Sequence, residues 1–411
     1  MSTPATDLQH PGDPVAPQLQ GAGVLESRLI DIPRDTFAQD YWGKRALLSK
    51  NVGDFSDLFS AGAVDELISE RGLRSPFLRV AKDGETLPTS SFTSPAGVGA
   101  TIGDQLDDTK LWRHFRDGAT LVLQALQRTW APLGQFTSAL SEELGNPVQA
   151  NAYITPPQNQ GFDDHYDVHD VFVLQIEGAK RWRLHEPVFD SPLRDQPWTD
   201  RREAVAAAAK TDPVIDAVLE PGDVLYVPRG WLHAATAQGE VSIHVTLGVH
   251  NWTGYAVAEE LVQAALASLQ DDPTIRGNLP LGESQPDEAT LEHIRERVRE
   301  ALQDASARDA LDRIRRSQAR PAPLGPLRQL QTLNNLADDT LLSWRGALDP
   351  VVRGNRVYTR LGWFDFSDAE LEKLRPVLDG SPATVEDLGR DLAERLLAAG
   401  ALLAGTDGTA Q

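Results

Sequence analysis

The period of apolar positions changes along the chain. Phe37 and Tyr41 stand four apart and share one helical face, so 33–42 predicts a short helix. Helix and strand patterns then alternate: a helix over 64–70, strands over 77–81 and 119–124, and a helix over 127–144 that Asn146 and Pro147 end. From 148 to 250 the segments become short and β-rich, with strands predicted at 148–154, 171–177, 181–184, 217–219, 224–227 and 241–249. Short strands punctuated by Pro and Gly predict a barrel or a sandwich. Three- and four-residue spacing returns in helices over 256–269, 291–302 and 309–317.

The run RPAPLGP at 320–326 marks a boundary. Beyond it lie a strand-like 356–363, two Ser/Thr-x-x-acid helix starts at 367–370 and 384–387, and a strand-like 401–403. That order resembles a small winged-helix module. Residues 1–24 are rich in Pro and Gln without periodicity and predict a disordered tail. The expected organisation is therefore the tail over 1–24, a β-rich domain over 25–253, a helical region over 254–325 and the last module over 326–411. No internal repeat is visible.

Composition narrows the function classes. The chain has 411 residues with 39 basic and 60 acidic side chains, a formal net charge of −21. Such a surface repels nucleic acid and anionic membrane and attracts basic protein. There is no cysteine, which excludes disulfides, zinc–thiolate sites and iron–sulfur clusters and fits a cytoplasmic protein. The apolar stretch over 396–405 falls short of the about 20 residues that span a bilayer, and the N-terminus lacks a signal-peptide pattern.

Six of the nine histidines lie between 165 and 250. In the run HYDVHD over 165–170, His165 and Asp167 are two apart, so a strand would send both side chains to one face. A third donor is expected from GDVLYVPRGWLH over 222–233, where a turn at Pro228 and Gly230 directs His233 back towards the first two. Two histidines and one carboxylate form the facial triad of non-haem Fe(II) oxygenases, with open positions for a 2-oxo acid and dioxygen. The second segment also matches Gly-x5-Pro-x-Gly-x2-His, the second motif of the cupins. His169 would fall on the same strand face as the first two, although the triad is complete without it. His244 is expected on a strand beside His233.

The run HYDVHDVFVLQIEGAKRWRL over 165–184, together with DYWGKRALL over 40–48, resembles the ribosomal oxygenases, a JmjC branch of the cupin superfamily. The resemblance implies an α+β fold: a double-stranded β-helix (cupin/JmjC jelly roll) with flanking helices, a helical dimerisation region and a C-terminal winged-helix-like module. It implies Fe(II) held by His165, Asp167 and His233, with 2-oxoglutarate and O2 as co-substrates. Family spacing puts an Asn fourteen residues before the first ligand and a Lys or Arg fifteen after it, here Asn151 and Lys180. The basic residue would bind the distal carboxylate of 2-oxoglutarate, with Thr246 assisting. The implied reaction is hydroxylation of a side chain on a basic ribosomal protein by a homodimer, without direct nucleic-acid or membrane binding. Relatives that hydroxylate arginine resemble a pattern with Arg where this chain has Lys180, so the target stays open between arginine and histidine.

Two other readings compete. One is a metal-binding cupin regulator without oxygenase activity. The other is a cupin enzyme using another divalent metal. Against a DNA-binding regulator, 326–411 carries 9 basic and 13 acidic residues, a balance of 9 − 13 = −4.

Overall fold

The computed structural model describes residues 23–82, 84–160, 162–279, 287–318 and 321–405. The expected tail lies outside these residues except for its last two, and Val24 already opens a helix. The chain divides into two compact units, Met1–Asn251 and Trp252–Gln411.

The first unit contains α1 (Val24–Arg28), α2 (Arg34–Asp40), β1 (Leu47–Ser49), α3 (Ala61–Ser69), β2 (Leu78–Lys82), β3 (Glu85–Thr86), β4 (Thr93–Ala96) and β5 (Ile102–Leu106). It continues with α4 (Asp108–Arg116), β6 (Thr120–Leu123), α5 (Leu126–Thr129), α6 (Ala131–Leu144), β7 (Val148–Thr155) and β8 (Asp170–His185). It closes with α7 (Arg202–Ala208), β9 (Ile215–Leu219), β10 (Val224–Val227) and β11 (Leu232–Val249). One antiparallel sheet runs β1-β10-β8-β11-β7-β6-β2-β3, with β9 paired to β8. Apolar residues on one face of these strands, including Leu121, Ile154 and Ile243, pack on α1, α3 and α6 in the main core. The opposite parity, Thr120, Tyr153 and His244, lines a pocket. Period-two alternation thus separates core from site.

Two expected strands, 171–177 and 181–184, are one strand, β8. A bulge joins them. Gly178 has φ of +62°, and a Cβ there would collide with the carbonyl oxygen of Val241. Gln175 fastens the bulge by donating to the Glu177 carbonyl at 2.9 Å and the Ser242 hydroxyl at 2.9 Å. The expected strand at 241–249 likewise extends back to Leu232. The helix expected over 127–144 is broken at Trp130, whose φ and ψ are −131° and 111°. Pro132 explains the break: it has no N–H to give to the preceding turn, and it suits the start of a helix.

In the second unit, α8 (Gly254–Leu269) packs on α9 (Glu288–Asp304) and α10 (Ala307–Gln318). There follow α11 (Pro326–Asn334), β12 (Leu341–Trp344), β13 (Val351–Arg353), β14 (Arg356–Thr359), β15 (Gly362–Asp365) and α12 (Asp368–Leu378). The unit ends with β16 (Ala383–Thr384), α13 (Val385–Leu388), α14 (Arg390–Ala398) and β17 (Leu402–Ala404). Both expected helix starts form reciprocal capping boxes, Ser367 with Glu370 and Thr384 with Asp387. Leu342, Leu374, Leu388 and Leu396 sit in a second, separate core.

Candidate metal centre

One donor atom from each of His165, Asp167 and His233 lies within 4.8 Å of the others. The His165–Asp167 segment is not the regular strand that period two requires. His165 makes a single bridge to His233, and Asp167 lies in the loop before β8. Convergence comes instead from three backbone hydrogen bonds. The His233 N–H donates to the His165 carbonyl at 2.9 Å and the His165 N–H to the His233 carbonyl at 3.2 Å. The Gly230 N–H donates to the Asp167 carbonyl at 3.0 Å. The turn over 228–231 closes through Trp231 N–H to the Pro228 carbonyl at 3.2 Å, and Gly230 takes φ of +88°, which favours glycine.

Asp170, missed at the level of sequence, braces this turn. Its buried carboxylate accepts from the Arg229 N–H at 3.0 Å, the Tyr226 hydroxyl at 2.6 Å and the Asn251 amide at 3.1 Å. Its only separate signal is an acid heading the buried apolar run Val171–Leu174 at the start of β8.

The tautomers follow from the backbone. Nδ1 of His165 lies 2.7 Å from the Asp163 carbonyl, and Nδ1 of His233 lies 3.1 Å from the Trp231 carbonyl. A carbonyl only accepts, so each Nδ1 carries the proton and each Nε2 keeps its lone pair. Nε2 of His233 is 3.8 Å from Asp167 Oδ2. Burial, then the His165 charge, lowers His233 to about 4, so it is neutral at physiological pH. For Asp167, burial pushes the carboxyl up, but His169, His233, His165 and Arg79 together hold it below its ordinary value. Two free imidazole nitrogens and a carboxylate are thus ready for a divalent metal, and the donor chemistry fits Fe(II).

The pocket behind them measures about 230 Å³. Lys180, almost fully buried, lines it and donates to the Thr155 hydroxyl at 3.1 Å. Burial lowers its ammonium to about 7. No carboxylate lies within ion-pair reach of it among the described residues. Thr246 lines the same wall. His244 stacks on Tyr153 at 4.8 Å and 3°, and burial, then the Lys180 charge, keeps it well below its ordinary pKa. The structure does not bring Asn151 to the wall. Asn151 pairs with Thr246 beyond the Tyr153–His244 pair, and its amide oxygen accepts from the Ala125 N–H at 3.0 Å, holding the left-handed residue before α5. His169 also turns away: it stacks on His250 at 5.3 Å and packs against Gly248. Arg79, Phe162 and Trp198, unremarked in the sequence, complete the wall. A larger apolar groove of about 490 Å³ lies behind the same sheet, beside Leu121 and Ile154, and contains no histidine.

The sequence profile of the JmjC domain matches residues 124–257. The bifunctional lysine-specific demethylase and histidyl-hydroxylase NO66 of Drosophila persimilis is 31% identical over 272 residues, 64% of this chain and 37% of that protein. Ribosomal oxygenase 1 of Bos taurus is 29% identical over 269 residues, 64% and 38% of the two chains. The chain therefore carries a match to the JmjC domain and is similar to ribosomal oxygenases. This JmjC chain spans less than two fifths of either relative. Its fold matches the crystal structure of Escherichia coli ribosomal oxygenase YcfD, with a TM-score of 0.56 at 19% identity, over 92% of this chain and 99% of that one. A YcfD structure in complex with cobalt and 2-oxoglutarate matches with a TM-score of 0.57 at 18% identity, over the same shares. The JmjC match covers β7 to β11 of the nine-stranded sheet, and the fold is the JmjC jelly roll with added strands and helices.

Proposed function

We propose that this JmjC protein is an Fe(II)- and 2-oxoglutarate-dependent hydroxylase acting on an arginine or histidine side chain of a ribosomal protein. The carrying observation is one pocket lined both by three metal-type donors and by the buried ammonium of Lys180. His165, Asp167 and His233 would hold the iron. Lys180 would pair with the distal carboxylate of 2-oxoglutarate, with the Thr246 hydroxyl on the same wall. When bound, iron and 2-oxoglutarate activate dioxygen so that one oxygen atom enters a C–H bond and 2-oxoglutarate leaves as succinate and carbon dioxide. The chain's own residues bind, orient and exclude water. No general base is assigned, because none is needed.

The acidic surface supports a basic protein as partner and argues against nucleic acid. A homodimer is proposed through α8, where Tyr255, Val262 and Leu266 lie on one exposed helical face. Light scattering showing only monomer at micromolar concentration removes that part. The module over 326–411, with two three-stranded sheets and capped helices among its described residues, supports the winged-helix-like reading. A cytoplasmic site of action fits, and no helix among the described residues is long and apolar enough to cross a membrane.

Comparing intact masses of ribosomal proteins from wild-type and deletion cells tests the whole reading. One protein should be heavier by one oxygen atom in the wild type. Identical masses throughout remove the reading.

A further inference from the structure

The apolar groove on the other face of the sheet takes no part in that chemistry. Leu121, Ile154 and Ile243 line it, and each is the chain neighbour of a residue that lines the metal pocket: Thr120, Tyr153 and His244. The two spaces therefore lie back to back across one layer of strands, and they share no lining residue. To the groove α3 contributes Val64 and Ile68, and α4 contributes Trp112 and Phe115. Trp112 is 58% exposed, so a large ring stands in water beside an apolar space of about 490 Å³.

The charges of the groove have one sign. Asp65 of α3 and Asp108 of α4 are the charged residues in its lining, and neither makes an ion pair among the described residues. Nearby acids are neutralised: Glu66 pairs with Arg71, and Asp104 with Arg74. The basic residues of α4 are engaged elsewhere or lie outside the lining. Lys110 donates to the Thr93 carbonyl at 2.6 Å, Arg116 pairs with Asp117 at 3.2 Å, and Arg113 is not among the lining residues.

Those signs decide among occupants. A second copy of this chain brings a surface at −21. A fatty acid has the apolar body but brings a carboxylate. Each adds negative charge beside Asp65 and Asp108, next to apolar side chains that screen poorly. A basic segment brings the opposite charge, and the field of the whole surface draws it in.

We propose that this groove is a docking site for a basic protein, taking a segment whose large apolar side chains are flanked by Lys or Arg. The apolar side chains fill the space over Leu121 and Ile154 and leave water. The flanking cations pair with Asp65 and Asp108, and the face of Trp112 accepts an alkyl chain or a cation. The inference goes beyond the hydroxylase reading and does not depend on it, because the sheet separates the groove from the metal donors.

The probe is the peptide Lys-Leu-Leu-Lys-Leu-Leu-Lys, titrated by calorimetry into the full chain without metal or 2-oxoglutarate. The result therefore stands whether or not the chain is a hydroxylase. Binding is expected, and replacing every lysine by glutamate should weaken it by about tenfold or more. Trp112→Ala, and Asp65→Asn combined with Asp108→Asn, should each weaken it by about tenfold. All three residues are exposed, so these variants fold. A version of the peptide with one photoreactive leucine should label α3 or α4. Binding that both variants leave unchanged is attraction by net charge alone and overturns the proposal. Labelling confined to other elements, equal binding of the glutamate peptide, or no binding at millimolar peptide overturns it too. Self-association of the wild type that Trp112→Ala abolishes gives the groove to a second copy, and tighter binding of dodecanoate than of the peptide gives it to an anionic amphiphile. Either result likewise overturns the proposal.

Discussion

His165 and His233 meet with ring centroids 4.4 Å apart and planes at 53°; His169 and His250 meet at 5.3 Å and 13°. Each pair joins a residue before β8 to one at or just past an end of β11. Burial is also the leading cause that lowers His233 and His250 alike to about 4, so neutral imidazole is available in both places. What separates the pairs is the third group. At the first pair a carboxylate joins the two rings and both Nδ1 atoms are spent on carbonyls, which aims two Nε2 lone pairs at one point. At the second pair the rings stack nearly parallel and no acid joins them in a donor cluster among the described residues. Crowding of histidines is therefore a weak guide to a metal centre; a fixed tautomer and a converging carboxylate are the stronger one.

Removing the first pair should have the largest effect. His165→Ala, Asp167→Ala and His233→Ala are each expected to abolish metal-dependent turnover of 2-oxoglutarate, measured as succinate release. Full iron-dependent activity in His233→Ala would remove the triad. In the proposed reading, Lys180→Ala strands the carboxylate of 2-oxoglutarate without its partner, which typically costs about 3–5 kcal/mol. Affinity for 2-oxoglutarate on Mn(II)-loaded protein should fall by roughly two to three orders of magnitude, with metal binding intact. Lys180→Arg should keep partial function, since the charge survives with a different geometry. Equal affinities in wild type and Lys180→Ala would show that Lys180 has no part in binding.

Asp170 sharpens the comparison, because it holds the turn that only the first pair uses. Asp170→Asn keeps the size but loses an acceptor, so cobalt affinity should drop by about tenfold, as for other groups that orient metal ligands. An unchanged cobalt absorption spectrum and affinity would reduce Asp170 to a role in packing alone. A pH effect of similar size is expected at Lys180, which burial lowers to about 7 in the ligand-free protein. Above that pH the amine is neutral and must take up a proton to pair with a carboxylate. Affinity for 2-oxoglutarate should therefore fall by up to about tenfold per pH unit above 7. Calorimetry in two buffers of different ionisation enthalpy reads that proton directly. The same shift makes the ligand-free protein gain stability as pH rises from 7 towards the unfolded value, because the unfolded chain binds the extra proton there.

The parts of this site legible in the sequence were those written in local order. The turn at Pro228 and Gly230 and the alternation that separates Tyr153 from Ile154 depend on neighbours in the chain. The capping boxes at Ser367 and Thr384 are local in the same way. What stayed hidden depends on distant partners. The continuous β8 needs Gly178 to face Val241, and β11 begins in a stretch of Ala and Thr with no clear alternation. Asn151 matched a family spacing, yet its oxygen is taken by Ala125, a contact 26 residues away in sequence. Arg79 precedes the metal motif by too many residues for spacing to connect them; only the pairing of β2 with β6 and β6 with β7 carries it to the pocket.

The smallest expected effect belongs to His169, two residues from Asp167. Its ring is held by His250 on one side and by the close approach of Gly248 on the other. His169→Ala removes a stacked contact, worth about 1 kcal/mol of stability. It also removes one of the charges that hold the Asp167 carboxyl down against burial. That loss moves Asp167 upward from a position already below its ordinary value, so the carboxylate stays ionised at neutral pH and remains a ligand. Metal affinity at neutral pH should therefore change by less than about threefold, and any weakening should appear only in acid, where Asp167 begins to bind a proton. Cobalt titrations of wild type and His169→Ala at about pH 7 and about pH 5 distinguish the two regimes. If His169→Ala loses metal at neutral pH as completely as His233→Ala, the two histidine pairs are not distinct, and His169 belongs in the ligand set.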